Sequence, residues 1–184
     1  ISVTDRCNFR CPYCMPSEIY GDRYQFLPKD DLLTFEEIAR LANIFANLGV
    51  EKIRITGGEP LVRNSVEELV TKLSSIPEIV DLTMTTNGYL LPQKAQLLKE
   101  SGLNRITVSL DTLDEDVFRR MNGRNFGPDR VLEGIKSAEK AGLSPIKINA
   151  VIQRGVNDHT VLQLASFVRD MGHILRFIEY MDVG

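Results

Sequence analysis

The sequence lacks the features that define several classes of protein. It has no tryptophan, only two histidines, and a formal net charge of -3 at pH 7. A surface that follows nucleic-acid phosphates normally needs a basic surplus, so this charge predicts no general nucleic-acid binding. No apolar run approaches the roughly 20 residues that span a bilayer, and no basic-then-apolar leader is visible. We therefore expect no membrane association and a cytoplasmic location.

Cysteine is scarce and is confined to one short stretch. The stretch SVTDRCNFRCPYCMP holds Cys7, Cys11 and Cys14, and no fourth cysteine follows. An odd number of thiols in one cluster does not suit a disulfide framework, and a reducing compartment would leave them free. Soft thiolates select zinc, copper(I) or iron–sulfur clusters.

The missing fourth cysteine separates these metals. A structural zinc site normally has four ligands, and His159 and His173 lie far along the chain. A 4Fe–4S cube bound by three cysteines would keep one iron open for a substrate or cofactor. The spacing therefore favours a cluster with an open iron, and a zinc-binding structural module is the non-enzymatic alternative.

Short β-branched runs alternate with amphipathic segments along the chain. The predicted strands are Ile1–Thr4, Lys52–Thr56, Val80–Thr86, Arg105–Leu110, Ile146–Ile152 and Leu175–Tyr180. Helix starts are predicted at the capping-box patterns Thr34–Glu37 and Ser65–Glu68, at Pro92 and Pro128, and after Asp158. The alternation predicts a parallel sheet covered by helices, either an open doubly wound sheet or a full or partial β/α barrel. Residues 16–31 have no clear period and predict a loop.

Polar motifs follow or end successive strands. TGGEP follows the second strand, TTNG ends the third, SLD ends the fourth, and RFIEYM forms the sixth. Barrels and open α/β sheets both build their sites at the carboxyl ends of strands. Each motif also has a structural interpretation on its own: a glycine turn, a helix cap at Asp114, or Met181 as filler of the core.

CNFRCPYC resembles the C-x3-C-x2-C signature of the radical S-adenosylmethionine (SAM) superfamily. In that superfamily the open iron chelates the amino and carboxyl groups of SAM, and reductive cleavage gives a 5′-deoxyadenosyl radical. The glycine turn RITGGEPL is similar to the turn that receives the methionine amino group. The resemblance implies a partial (β/α)6 TIM-like barrel of parallel strands.

Within the superfamily, the ordered series of motifs resembles the GTP 3′,8-cyclase family of molybdenum cofactor biosynthesis. The matching phrases include ISVTDRCNFRCPYCMP, RITGGEPLVR, TTNGYLL, VSLDTLDEDVFRRMNGR, IKINAVIQRGVND and LRFIEYMDVG. The match covers the whole chain. It implies that hydrogen abstraction from C3′ of GTP is followed by attack of that carbon on guanine C8.

The resemblance also implies roles for individual residues. The cluster ligands would be Cys7, Cys11 and Cys14. The SAM-binding residues would be Tyr13, Gly57, Gly58, Glu59, Ser109 and Met181. The GTP-binding residues would be Arg54, Thr85, Lys147, Asn149 and Arg176. Arginine and lysine at strand ends suit an anionic triphosphate despite the acidic overall charge.

The sequence departs from the cyclase family in what it does not contain. The family carries a second 4Fe–4S cluster on three C-terminal cysteines, and this chain has none beyond Cys14. The chain also starts inside an apolar run and ends after a strand-like segment. We therefore expect residues 1–184 to be one radical SAM core domain of a longer protein, with little or no activity alone. A reductant protein and GTP are the expected partners, a homodimer is compatible with the sequence, and a related radical SAM enzyme acting on a peptide or another small molecule is the alternative.

Overall fold

Five short runs of apolar and β-branched residues form one sheet in the computed structural model, which describes residues 1–181. The strands are β1 (Lys52–Ile55), β2 (Asp81–Thr86), β3 (Arg105–Ser109), β4 (Lys147–Ile152) and β5 (Ile174–Glu179). They lie in chain order, and every neighbouring pair is parallel. Parallel neighbours need crossover connections, which helices supply. The predicted parallel α/β architecture is confirmed.

Within residues 1–181 there are six helices; the first precedes β1, and the other five connect consecutive strands. They are α1 (Phe35–Asn47), α2 (Val66–Ser74), α3 (Leu91–Glu100), α4 (Glu115–Asn122), α5 (Asp129–Lys140) and α6 (Val161–Asp170). Short 3-10 turns occur at Lys29–Asp31, Pro60–Val62 and Asp158–Thr160. Within residues 1–181, no helix is both long and apolar enough to cross a membrane.

The prediction of a strand at Ile1–Thr4 is wrong. Ser2 forms only an isolated parallel bridge with Thr56. The Thr56 amide donates to the Ile1 carbonyl at 2.8 Å, and the Val3 amide donates to the Thr56 carbonyl at 2.9 Å. The ladder stops there because the segment that contains Thr56 turns away at Gly57. The sheet therefore has five strands and one bridged segment.

Two of the predicted helix caps differ from the structure, although α2 begins directly after Ser65 as predicted. Ser65 has a left-handed backbone, with φ of 55°, and its side chain makes no capping hydrogen bond. An N-cap normally has an extended backbone, which presents its oxygen to the first turn. Asp158 lies in a 3-10 turn before α6 and accepts from the Gly155 amide instead. The Thr34–Glu37 capping box and the Asp114 cap of α4 are confirmed.

The two faces of the sheet differ in chemistry because side chains alternate along each strand. Ile55, Met84, Ile106, Val108 and Ile148 are fully or almost fully buried in the hydrophobic core. The opposite face, called here the polar face, carries Lys52, Arg54, Asp81, Thr83, Thr85, Arg105, Thr107, Ser109, Lys147, Asn149 and Arg176. The candidate site is built on this polar face.

Candidate cofactor and substrate site

The three cysteines lie on an irregular segment, residues 5–15, called here the cysteine loop. Because this segment has no regular ladder, side chains satisfy several of its carbonyl groups. The Arg10 guanidinium donates to the carbonyls of Cys7 and Phe9 at 2.7 and 2.8 Å, and also to the carbonyl of Tyr20. The amides of Cys14 and Met15 both donate to the Cys11 carbonyl, which closes a tight turn around the last two thiols.

The last residue of α4 and the segment after it contact the cysteine loop from a second side. The Arg10 amide donates to the Asn122 carbonyl at 2.9 Å, and Arg124 donates to the Asn8 carbonyl at 3.0 Å. Gly123 lies between these contacts with φ of 64°, and a Cβ there would collide with the Arg10 carbonyl. Glycine is therefore required both by the backbone conformation and by the close approach of the loop.

All three thiols line a cavity of about 200 Å³ at the carboxyl ends of the strands. The other predicted site residues that line it are Tyr13, Gly58, Glu59, Thr85, Ser109 and Asn149. A second cavity, of about 420 Å³, lies on the other side of the loop and is lined by the same cysteines and by Gly57. The structure therefore brings the predicted cofactor residues together around the cysteine loop, with Met181 as the exception.

The thiols differ in their electrostatic environment. Burial raises the pKa of Cys7. The adjacent Cys14 thiol raises the pKa of Cys11, and Cys11 in turn lowers the pKa of Cys14. Among residues 1–181, no three histidine, cysteine or acidic side chains are arranged around a single metal ion. A 4Fe–4S cube makes a different demand, since each cysteine binds its own iron atom.

The turn after β1 approaches the cysteine loop closely. A Cβ on Gly58 would collide with the Arg6 carbonyl, and one on Gly57 would lie 2.7 Å from the Thr4 carbonyl oxygen. The Gly58 amide donates to the Thr4 carbonyl at 2.7 Å. Glycine at both positions therefore lets the turn pack directly on the backbone that leads into the cysteine loop.

Glu59 is fully buried beside this turn and connects it to the end of β2. Its carboxylate accepts from the Leu61 amide, the Thr86 hydroxyl and the Asn87 amide at 3.1, 2.6 and 2.7 Å. Burial nevertheless raises the Glu59 pKa to about 7. The Asn87 side chain in turn donates to Asn8 Oδ1 at 2.7 Å, so Glu59 links two turns to the cysteine loop.

Cationic side chains lie farther along the polar face. Arg54 donates to the hydroxyls of Thr85 and Thr107, and Arg176 donates to Asn149 Oδ1 at 2.9 Å. Burial and the charge of Arg176 lower the Arg54 pKa. The charge of Arg105, followed by burial, lowers the pKa of Lys147. These directions show that positive charges repel one another across this part of the sheet.

The predicted substrate residues therefore divide into two groups. Thr85 and Asn149 line the 200 Å³ cavity, whereas Arg54, Lys147 and Arg176 lie beyond its lining, next to those two. Polar partners on neighbouring strands join the two groups into one continuous surface.

Met181 does not fit its structural interpretation. Its side chain is 65% exposed, so the interpretation as core filler is wrong. It also does not line the cavity that contains the cysteines. Its predicted contact with SAM stays a prediction.

Several residues of the site were not singled out from the sequence. Asp111 and Asn87 line the cavity, and Lys52 and Arg105 lie on the polar face, where both form ion pairs with Asp81. The motifs SLD and TTNG contain Asp111 and Asn87, but those motifs also suit turns and caps. Strand alternation could have placed Lys52 and Arg105 on the face that carries Arg54 and Lys147.

The family model of the radical SAM superfamily matches residues 1–168. The chain belongs to the radical SAM superfamily. This superfamily uses a 4Fe–4S cluster and SAM, which confirms, at the level of the family, the cofactors that the resemblance implied. Three thiols on one loop, a glycine turn packed against it and a cavity beside them that carries several polar side chains suit these two groups. Which residues bind each cofactor stays a prediction.

Named relatives narrow the comparison. The chain is 58% identical over 184 residues to a GTP 3′,8-cyclase of Acidothermus cellulolyticus, and 52% identical to one of Staphylococcus haemolyticus. Both matches cover all of this chain but 51% and 54% of the relatives, so the chain spans about half their length. The crystal structure of SAM-bound Streptococcus suis SuiB matches 99% of this chain and 40% of SuiB, with a TM-score of 0.80 at 21% identity, which supports the fold.

Proposed function

We propose that this chain is the radical SAM core domain of a GTP 3′,8-cyclase. The observation that carries the proposal is that the three-thiol cysteine loop lies next to the polar face. Arg54, Lys147 and Arg176 on that face form what is called here the cationic surface. The cyclases that share 58% and 52% identity with the whole chain support the same assignment. The alternative of a zinc module leaves the cationic surface and the glycine turn without a role.

The cysteine end of the site, where the cysteine loop meets the carboxyl ends of the strands, would bind the cofactors. Cys7, Cys11 and Cys14 would bind the cluster, which with SAM supplies the hydrogen-abstracting chemistry of the superfamily. Gly58 lines the same cavity and packs against the Arg6 carbonyl, which brings the glycine turn beside the thiols. Ser109 and Asn149 line the same cavity and offer a hydroxyl and an amide as hydrogen-bond partners.

The cationic surface would bind the triphosphate of GTP. Arg54, Lys147 and Arg176 lie within or at the start of strands, so their positions are set by the sheet rather than by a mobile loop. Their mutual repulsion would be relieved by a polyanion, which favours binding. A nucleotide anchored there would direct its ribose toward the cysteine end, where C3′ must meet the reactive group.

Other expectations belong to this proposal. The chain contains three cysteines in all, so the second 4Fe–4S cluster of the cyclases would need residues outside it. A reductant protein as electron donor, a homodimer and a cytoplasmic location are further expectations that the proposed activity makes reasonable.

The cofactor part is tested by anaerobic cluster reconstitution and electron paramagnetic resonance (EPR) of the reduced protein. We expect a 4Fe–4S signal that changes when SAM is added, because SAM would bind the open iron. Cys14→Ser should abolish the SAM response, whereas Ser17→Ala, at an exposed position close by, should preserve it. A wild-type signal that is indifferent to SAM would contradict the proposal.

The substrate part is tested by calorimetric titration of the reconstituted protein with GTP and with guanosine. We expect GTP to bind at least about 10-fold more tightly, with a difference that narrows as salt is added, because charge-assisted hydrogen bonds to phosphate are strong and screened by ions. Equal affinity for the two ligands would exclude the cationic surface as the triphosphate site.

A further inference from the structure

We propose that Asp111 is a positioning residue for the cysteine loop and that it acts through the hydroxyl of Tyr13. The inference rests on the proposed role of the thiols as cluster ligands. It concerns what holds the last two of those thiols, Cys11 and Cys14, in place.

Tyr13 connects the cysteine loop to the sheet across a long stretch of sequence. It lies between Cys11 and Cys14, and its hydroxyl donates to Asp111 Oδ2 at 2.7 Å. The two residues are 98 positions apart. Asp111 is only 8% exposed, so this hydrogen bond is largely protected from competing water.

Asp111 is itself fixed on the side away from Tyr13. Its Oδ1 accepts from the Val151 amide at 2.8 Å, and its carbonyl accepts from the Asn157 side chain at 2.9 Å. Asn157 is fully buried and also donates to the Val151 carbonyl. Asp111 therefore joins the end of β4 to the segment after β3. Its carboxylate is a fixed acceptor for the Tyr13 hydroxyl.

The two halves of the cysteine loop depend on different supports. Contacts from Asn122 and Arg124 reach Arg10 and Asn8, in the first half. In the second half, the amides of Cys14 and Met15 bond only within the loop, to the Cys11 carbonyl. The Tyr13–Asp111 hydrogen bond is thus a direct link between the Cys11–Cys14 turn and the strand ends.

Such a link has consequences for cluster binding. Residues that orient metal ligands from the outer shell are worth about 10- to 100-fold in metal affinity. Losing the Tyr13 hydroxyl would also leave a buried carboxylate oxygen without its partner. We therefore expect loss of either partner to weaken cluster retention, and loss of both to be no worse than loss of one.

The test compares Tyr13→Phe, Asp111→Ala, Asp111→Asn and the double variant Tyr13→Phe/Asp111→Ala in anaerobically reconstituted protein. Two quantities are measured: the rate at which an iron chelator removes the SAM-responsive cluster, and the SAM-induced change in its EPR spectrum. Asp114→Ala is the matched control, because Asp114 caps α4 and does not contact the loop. Circular dichroism confirms that each variant folds.

We expect Tyr13→Phe and Asp111→Ala each to speed cluster loss about 10-fold, with the double variant equal to the worse single one. Asp111→Asn should recover most of the wild-type rate, since its oxygen still accepts from Val151 and its amide can donate to the Tyr13 oxygen. Asp114→Ala should keep the wild-type rate.

Two results would overturn the inference while leaving the proposed function intact. One is a wild-type rate of cluster loss in a folded Asp111→Ala or Tyr13→Phe variant. The other is multiplication of the two single effects in the double variant, which would mean that the residues act independently. A wild-type protein without any SAM-responsive cluster would instead overturn the proposed function and this inference together.

Discussion

The two ends of the site, the cysteine end and the cationic end formed by the cationic surface, differ in charge and in construction. The cysteine end combines thiols, amides and the buried carboxylates Glu59 and Asp111, whose pKa values are both raised by burial. The cationic end carries Arg54 and Lys147, whose pKa values are lowered. The cysteine end thus disfavours additional negative charge, whereas the cationic end attracts it. A ligand that is neutral or cationic at one point and polyanionic at another would match both.

The difference in construction explains how the two ends can change separately. The cationic side chains lie inside strands, where the parallel register fixes their spacing. The cysteine end is built from irregular segments that are held together by a few specific contacts, such as those at Gly58 and Gly123. A single substitution at such a contact should therefore damage the cysteine end and leave the cationic end intact.

The largest expected effect is that of Gly123→Ala. The new Cβ would collide with the Arg10 carbonyl, so either the cysteine loop or the segment after α4 must move. Strained backbone and overpacking together should lower the free energy of unfolding by about 4 kcal/mol, measured by urea denaturation. The SAM-responsive cluster should also be lost.

Gly155→Ala is the matched control for this substitution. Gly155 has φ of 75°, close to the 64° of Gly123, but nothing lies within 4 Å of its Cβ position. It should show only the backbone cost of about 1–2 kcal/mol and keep the cluster. Equal destabilisation by both substitutions would mean that the contact with the cysteine loop has no energetic importance.

The cysteine end was predicted from short motifs, whereas its internal supports were not. Three thiols within eight residues and a glycine turn are visible in the sequence because their types are rare and their spacing is short. The contacts of Asp111 with Tyr13 and of Asn122 with Arg10 join residues about 100 positions apart, and no local spacing connects the two members of either pair. Only the folded chain reveals such pairs.

At the cationic end, Lys147→Met should weaken GTP binding by about 10- to 100-fold, since a hydrogen bond to a charged group contributes about 1.5–3 kcal/mol. The EPR response to SAM should not change, because Lys147 does not line the cysteine cavity. Lys136→Met, on the exposed surface of α5, is the control for loss of one positive charge. A similar loss of GTP affinity in both variants would indicate only an effect of net charge.

The fold was largely predictable from the sequence, and the errors in that prediction have local causes. Alternation placed all five strands to within about two residues, because buried parallel strands have a strong apolar signal. The Ile1–Thr4 segment has the same composition but meets a partner that turns at Gly57, so pairing ends after one bridge. Ser65 has the residue type of an N-cap, yet its left-handed backbone points the hydroxyl elsewhere. Composition does not encode either backbone turn.

The last comparison distinguishes the two ends by the pH dependence of stability. Burial raises the pKa of Glu59 to about 7, whereas an unfolded chain would ionise it near its ordinary value of 4.5. Between these values the folded state holds a proton that the unfolded state has released. The free energy of unfolding should therefore fall by about 3 kcal/mol as pH rises from 4.5 through 7, and level off above that.

Glu59→Gln should remove this part of the pH dependence, because glutamine does not titrate. Glu78→Gln, at an exposed position, should leave the wild-type profile unchanged. Arg54 and Lys147 stay protonated throughout this range, so the cationic end should contribute no slope of its own. Urea denaturation of the metal-free protein at several pH values measures the three profiles. Parallel pH profiles of unfolding free energy for wild type and Glu59→Gln would contradict this prediction. They would mean that the three hydrogen bonds keep the buried Glu59 carboxylate ionised. The cysteine end would then tolerate more negative charge than its burial suggests.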